Sequence, residues 1–102
     1  MSSTVTAKVL WPEDLLSPER EEFITLPEEL TTRVRRLQEI VGGPIQALPI
    51  DTTNFMILNG DGKLQAHKVN VTATMLASIR EAISMEDYIA GPAVILDKTY
   101  LP

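Results

Sequence analysis

Cysteine is absent from these 102 residues, which excludes disulfides, thiolate metal sites and cysteine nucleophiles. That fits a protein kept in a reducing cytosol. Histidine occurs once, at His67. A Ser-His-Asp triad would have to be built around it, and no Gly-x-Ser-x-Gly elbow accompanies it. One histidine among scattered aspartates also falls short of a zinc site. No apolar run approaches the roughly 18 residues that a membrane helix needs. Met1-Ser2-Ser3-Thr4 has neither the basic start nor the apolar core of a signal peptide, so the expected location is the cytoplasm. Basic residues are few, 9 against 14 acids for a net charge of −5. The clustered Lys and Arg that phosphate backbones require are missing, so neither nucleic acid nor membrane is an expected partner.

The acids that are present lie unevenly. Residues 13–29 hold seven of them against Arg20 alone, and the rest of the chain is close to neutral. This reads as a solvated loop and helix start. The 44% hydrophobic content and the length suit one domain over residues 1–102, large enough to bury a core. The last residues, 97–102, are expected to fray.

Two periodicities divide the chain. Thr4–Leu10 alternates and is rich in β-branched residues, so it predicts a strand ended by Trp11-Pro12. Glu22–Leu26 predicts its hairpin partner. Pro27 suits a first helical turn and Glu28 and Glu29 suit a helix N-terminus. Leu30, Val34, Leu37 and Val41 then mark one face of a helix, which Gly42-Gly43-Pro44 stops. Ile45–Ile50 predicts a strand, with Pro49 placing it at an edge or bulge, and Phe55–Leu58 predicts a buried one. Asn59-Gly60-Asp61-Gly62 is turn chemistry, leading to a return strand over 63–66. Asn70 can cap a second helix, on which Val71, Met75, Ile79 and Ile83 repeat every four residues, with Leu76 and Ala82 widening the stripe. Tyr88–Leu96 predicts a last strand broken at Gly91-Pro92. The order ββα-ββ(β)-α-β lacks regular βαβ alternation. It predicts an α+β fold with a mainly antiparallel sheet of about five strands and two helices.

The motifs Ile40-Val41-Gly42-Gly43, Ile45-Gln46-Ala47-Leu48-Pro49-Ile50, Asn59-Gly60-Asp61-Gly62-Lys63-Leu64, Asn70 with Ala73-Thr74 and Leu76, and Asp87-Tyr88-Ile89-Ala90-Gly91 follow one another over residues 28–96. In that order they resemble DUF3846, a family of small proteins of bacteriophages and of bacteria, especially actinobacteria. The resemblance implies a phage or mobile-element setting, hence the host cytoplasm, and no particular activity. Gly60-Asp61 departs from the acidic pair usual in the family turn. Ala66-His67-Lys68-Val69 departs from a segment often rich in Gly and Pro.

Candidate sites are few. Lys63, His67 and Lys68 lead into a helix start carrying Asn70, Thr72 and Thr74, where free backbone N–H groups favour a small anion such as a nucleotide. Arg33, Arg35 and Arg36 form a basic cluster in which Arg33 and Arg36 share a side, for ion pairs with Glu29 and Glu39 or for a phosphate or acidic partner. Asn59 begins like a calcium loop, but position 12 is Asn70 rather than Glu. Neither metal nor cofactor is expected. The reading is a non-enzymatic phage or prophage accessory protein that counters host defence, either by sequestering a small nucleotide signal at a subunit interface or by blocking a host protein. The alternatives are a nucleotide hydrolase using Asp61, Asp87 or His67, and a structural scaffold. Exposed sheet edges predict a homo-oligomer.

Overall fold

A computed structural model describes residues 5–12, 20–61 and 68–101. In β1 (Val5–Trp11) the residues Val5, Ala7 and Val9 point to one side and Leu10 to the other, as strand alternation requires. β1 pairs antiparallel with β2 (Arg20–Leu26), in register Val5 opposite Leu26 and Trp11 opposite Arg20. The first helix, α1, spans Leu30–Val41. β3 (Ile45–Pro49) and β4 (Asn54–Asn59) follow, then α2 (Val71–Ile79), then β5 (Ala93–Asp97). The strands form one antiparallel sheet in the order β2-β1-β5-β4-β3. The α+β architecture with five strands and two helices is therefore the one the sequence predicts. No described helix is long and apolar enough to cross a membrane.

A helix packs on each face of the sheet. Leu37 and Val41 of α1 pack with Val5, Ala7, Val9, Leu26, Ile57, Val94 and Leu96. Ala73 and Ala77 of α2 pack with Leu10, Ile50, Met56, Ile89 and Ala93. Met56 and Ile57 are neighbours in β4, as Ala93 and Val94 are in β5, so the two clusters lie on opposite faces of the sheet. α1 and α2 sit on opposite sides of the molecule.

α1 turns Leu37 and Val41 of its predicted face inward, whereas α2 turns inward a different face from the one its apolar spacing predicts. On α1 the buried residues are Arg33, Leu37 and Val41, while Leu30 is exposed. On α2 the small residues Ala73 and Ala77 face the sheet, and Val71, Met75 and Ile79 face solvent. Alanine lets the helix axis approach the sheet closely, so the bulky stripe, about 200° around the helix, is left outside.

α2 also ends at Ile79, short of Ile83. Glu81 adopts a left-handed φ of 58°, and the N–H groups of Glu81 and Ala82 donate to the carbonyls of Ser78 and Ala77 at 3.0 and 2.8 Å. This pairing closes the helix, with glutamate where glycine is usual. Gly42 does the same for α1, with φ 83°. Glu81→Gly is expected to stabilise the protein by about 0.5–1 kcal/mol, a rise of several degrees in Tm by thermal melting. An unchanged or lower Tm would contradict the strain.

Other differences are local. Pro27 lies before the helix rather than in its first turn, and its carbonyl accepts from Arg33 Nε at 3.1 Å. β3 is an edge strand that ends on Pro49. β4 is flanked by β3 and β5. The return strand expected over 63–66 lies outside the described residues. The last strand begins at Ala93. Residues 88–90 run beside the α2 start, with a bridge between Val69 and Ala90.

Residues 97–101 are docked on the domain. Lys98–Tyr100 forms a 3-10 turn. Asp97 Oδ1 accepts from the Thr99 N–H and hydroxyl at 2.9 and 2.8 Å, which holds its carboxyl below the ordinary value. Asp51 is lowered in the same way by the Thr53 and Asn54 N–H groups, both at 2.7 Å.

Candidate functional site

The clearest concavity lies on the α2 side, where the β3–β4 pair meets residues 83–90. Gln46 and Leu58 are cross-strand partners, as are Leu48 and Met56, and such pairs share a face. Leu48, Leu58, Ile83 and Ile89 give the cleft an apolar floor, and Gln46, Asp61, Asp87 and Tyr88 give it a polar rim. Its volume is about 340 Å³, within the range of small-molecule sites.

Two joints set the walls. Asn59, at the end of β4, is buried. Its Nδ2 donates to the Val41 carbonyl at 3.1 Å and its Oδ1 accepts from the Asp61 N–H at 2.8 Å. It thereby caps the end of α1 and aims Asp61 at the cleft. Gly43 is required at this contact, because a Cβ there would stand 2.9 Å from Asn59 Nδ2. On the other wall the Thr74 hydroxyl accepts from the Ile89 N–H at 2.8 Å, and Asp87 Oδ1 accepts from the Tyr88 N–H at 2.8 Å. Among the described residues, no group of three or more His, Asp or Glu could hold a metal ion.

The described residues singled out in the sequence for ligand binding divide between the α2 start and α1. Asn70 is fully buried. Its Oδ1 accepts from the Ala73 N–H at 3.0 Å, the cap that its position predicts. Its Nδ2 donates to the carbonyls of Leu10 at 2.8 Å and Gly91 at 3.0 Å. Asn70 and Thr74 are thus committed to internal joints. Thr72 is half-buried and Lys68 exposed. Lys63 and His67 lie outside the described residues.

Arg33 does not join Arg36 in a surface cluster. It is buried, donating to the carbonyls of Pro27, Glu28 and Tyr100 and lying 5.5 Å from the centre of the Tyr100 ring. Arg36 pairs with Glu39 at 3.2 Å on the surface. Both belong to α1, so the sheet separates them from the α2 start. Asp61 and Asp87 do line one cleft. Gln46, Tyr88, Ile83 and Ile89 were not legible as companions, because only the β3–β4 register and the path of residues 83–90 bring them together.

The model of a domain of unknown function, DUF3846, matches residues 15–100. The chain belongs to the DUF3846 family. No curated protein and no solved structure gives a match. In this DUF3846 chain the motifs that carry the resemblance meet in pairs. Val41 and Gly43 meet Asn59, Asn70 meets Gly91, and Thr74 meets Ile89. The pattern along the sequence is that of the joints between elements.

Proposed function

We propose that this DUF3846 chain is a non-enzymatic binding module whose ligand occupies the cleft between β3–β4 and residues 83–90. The observation that carries the reading is the cleft's make-up, an apolar floor with a few convergent polar groups at the rim. Its described rim has two carboxylates and no basic side chain. That favours a flat ring bearing N–H donors, such as the base of a nucleotide-type signal, over capture by the phosphate. Asp61, Asp87 and Gln46 supply acceptors and Tyr88 an aromatic edge. A phage or prophage setting and a role against host defence, by sequestering such a signal or by blocking a host protein, belong to the same proposal and rest on the family resemblance.

Native mass spectrometry with cyclic nucleotides, and with the matching nucleosides, tests this. Retained adducts that Leu58→Trp abolishes without unfolding the protein support it. No adduct with either series overturns it.

A second reading is favoured by Asp61 and Asp87 lining the same cleft. It is nucleotide hydrolysis, with one carboxylate as general base. It predicts multiple turnovers that Asp61→Asn or Asp87→Asn removes, whereas the binding module gives adducts and no product.

A further inference from the structure

The α2 face of the sheet is only half covered. α2 lies over Leu10, Ala93 and Met56. On that same face a cross-strand row runs Phe23, Lys8, Ile95, Met56, Leu48 through successive registers. Its β2 end is bare, with Phe23 74% exposed and Thr25 beside it exposed. The result is a ridge, α2, next to a step, the β1–β2 floor.

The top of the ridge is apolar. Val71, Met75 and Ile79 are 40%, 58% and 73% exposed and lie in line, four residues apart, with Val69 before them. Val71–Ile79 contains no charged residue. A helix exposed to water normally carries charge on its outer face. α1 does so in this molecule, with Arg35, Arg36 and Glu39 exposed.

We infer that this face binds a second copy of the chain about a two-fold axis. The α2 ridge of each protomer lies in the β1–β2 step of the other. The fit is reciprocal, because ridge and step stand side by side on one face, as an isologous contact requires. Phe23 meets the Met75–Ile79 stripe of the partner while its own stripe meets the partner's Phe23. These side chains present on the order of 500 Å² of mostly apolar surface. With the flanking threonines they approach the roughly 800 Å² per partner of a stable interface. Lys8 and Glu21 on the floor pair with each other at 3.5 Å. Pairing through the β3 edge of the sheet is opposed. β3 is an edge strand that ends on Pro49, which has no N–H to offer an edge partner.

Sedimentation equilibrium of the full chain over micromolar concentrations tests the inference. The wild type is expected at twice the 11.3 kDa of one chain. Met75→Glu, Ile79→Lys and Phe23→Asp are each expected to return it to a single-chain mass with an unchanged circular dichroism spectrum, since all three positions are exposed in one protomer, and with a Tm that is lower and no longer rises with concentration. A wild type of single-chain mass throughout overturns the inference and leaves the stripe to another kind of partner. So does a doubled mass that survives the α2 variants. Loss of the dimer in the α2 variants but not in Phe23→Asp overturns the ridge-in-step geometry.

Discussion

Asn70→Asp is expected to destabilise the protein by at least about 3 kcal/mol, more than Asn70→Ala, in urea unfolding at neutral pH. The ordering is the informative part. At an exposed helix start, aspartate caps as well as asparagine. Here the amide also donates to the Leu10 and Gly91 carbonyls, at 2.8 and 3.0 Å, inside a fully buried site. A carboxylate cannot donate, so it would face two carbonyl oxygens without water. The deficit of Asn70→Asp should shrink as pH falls. Burial raises the carboxyl's pKa, and the protonated acid regains one donor. An aspartate variant within about 1 kcal/mol of the wild type would show that Asn70 is only a cap.

Arg33→Met is expected to cost about 2–4 kcal/mol and to release the tail. The guanidinium holds three carbonyls, two before α1 and one at Tyr100, 67 positions away. Methionine keeps much of the stem and removes every donor. Lysine presents one compact ammonium instead of a planar fork, so Arg33→Lys should recover only a minor part of the loss. Hydrogen exchange separates tail release from general loosening. The N–H groups of Thr99 and Leu101, which donate to Asp97 Oδ1 and the Lys98 carbonyl, should exchange faster than those of β1 and β5. Unchanged protection there would mean that Arg33 does not anchor the tail.

These two side chains also mark what the sequence could and could not convey. Asn70 is legible as a cap because capping is local. Its bond to Leu10 is not, since that partner lies 60 residues away. Arg33 is polar, so apolar spacing assigned it to the outside, yet its stem packs inward and its head finds carbonyls. On α2 the four-residue repeat is real, but periodicity cannot say which of two stripes faces the sheet. Ala73 and Ala77 were the weaker signal and the correct one. The five strands of the sheet, the Gly42 stop and the choice between edge and bulge for β3 depend on local backbone chemistry and were legible. Of the cleft, Asp61 and Asp87 could be named as candidates. Their convergence depends on topology, which no spacing records.

The strand order has a consequence for how the fold is reached. β5 follows every other strand in the sequence, yet it occupies the centre of the sheet, between β1 and β4. The β1–β2 and β3–β4 hairpins can each form early from near neighbours. Neither can join the other until residues 93–97 leave the ribosome and enter between them. The long-range closure comes at the end, and a chain cut short before Ala93 would be left as two hairpins with open inner edges.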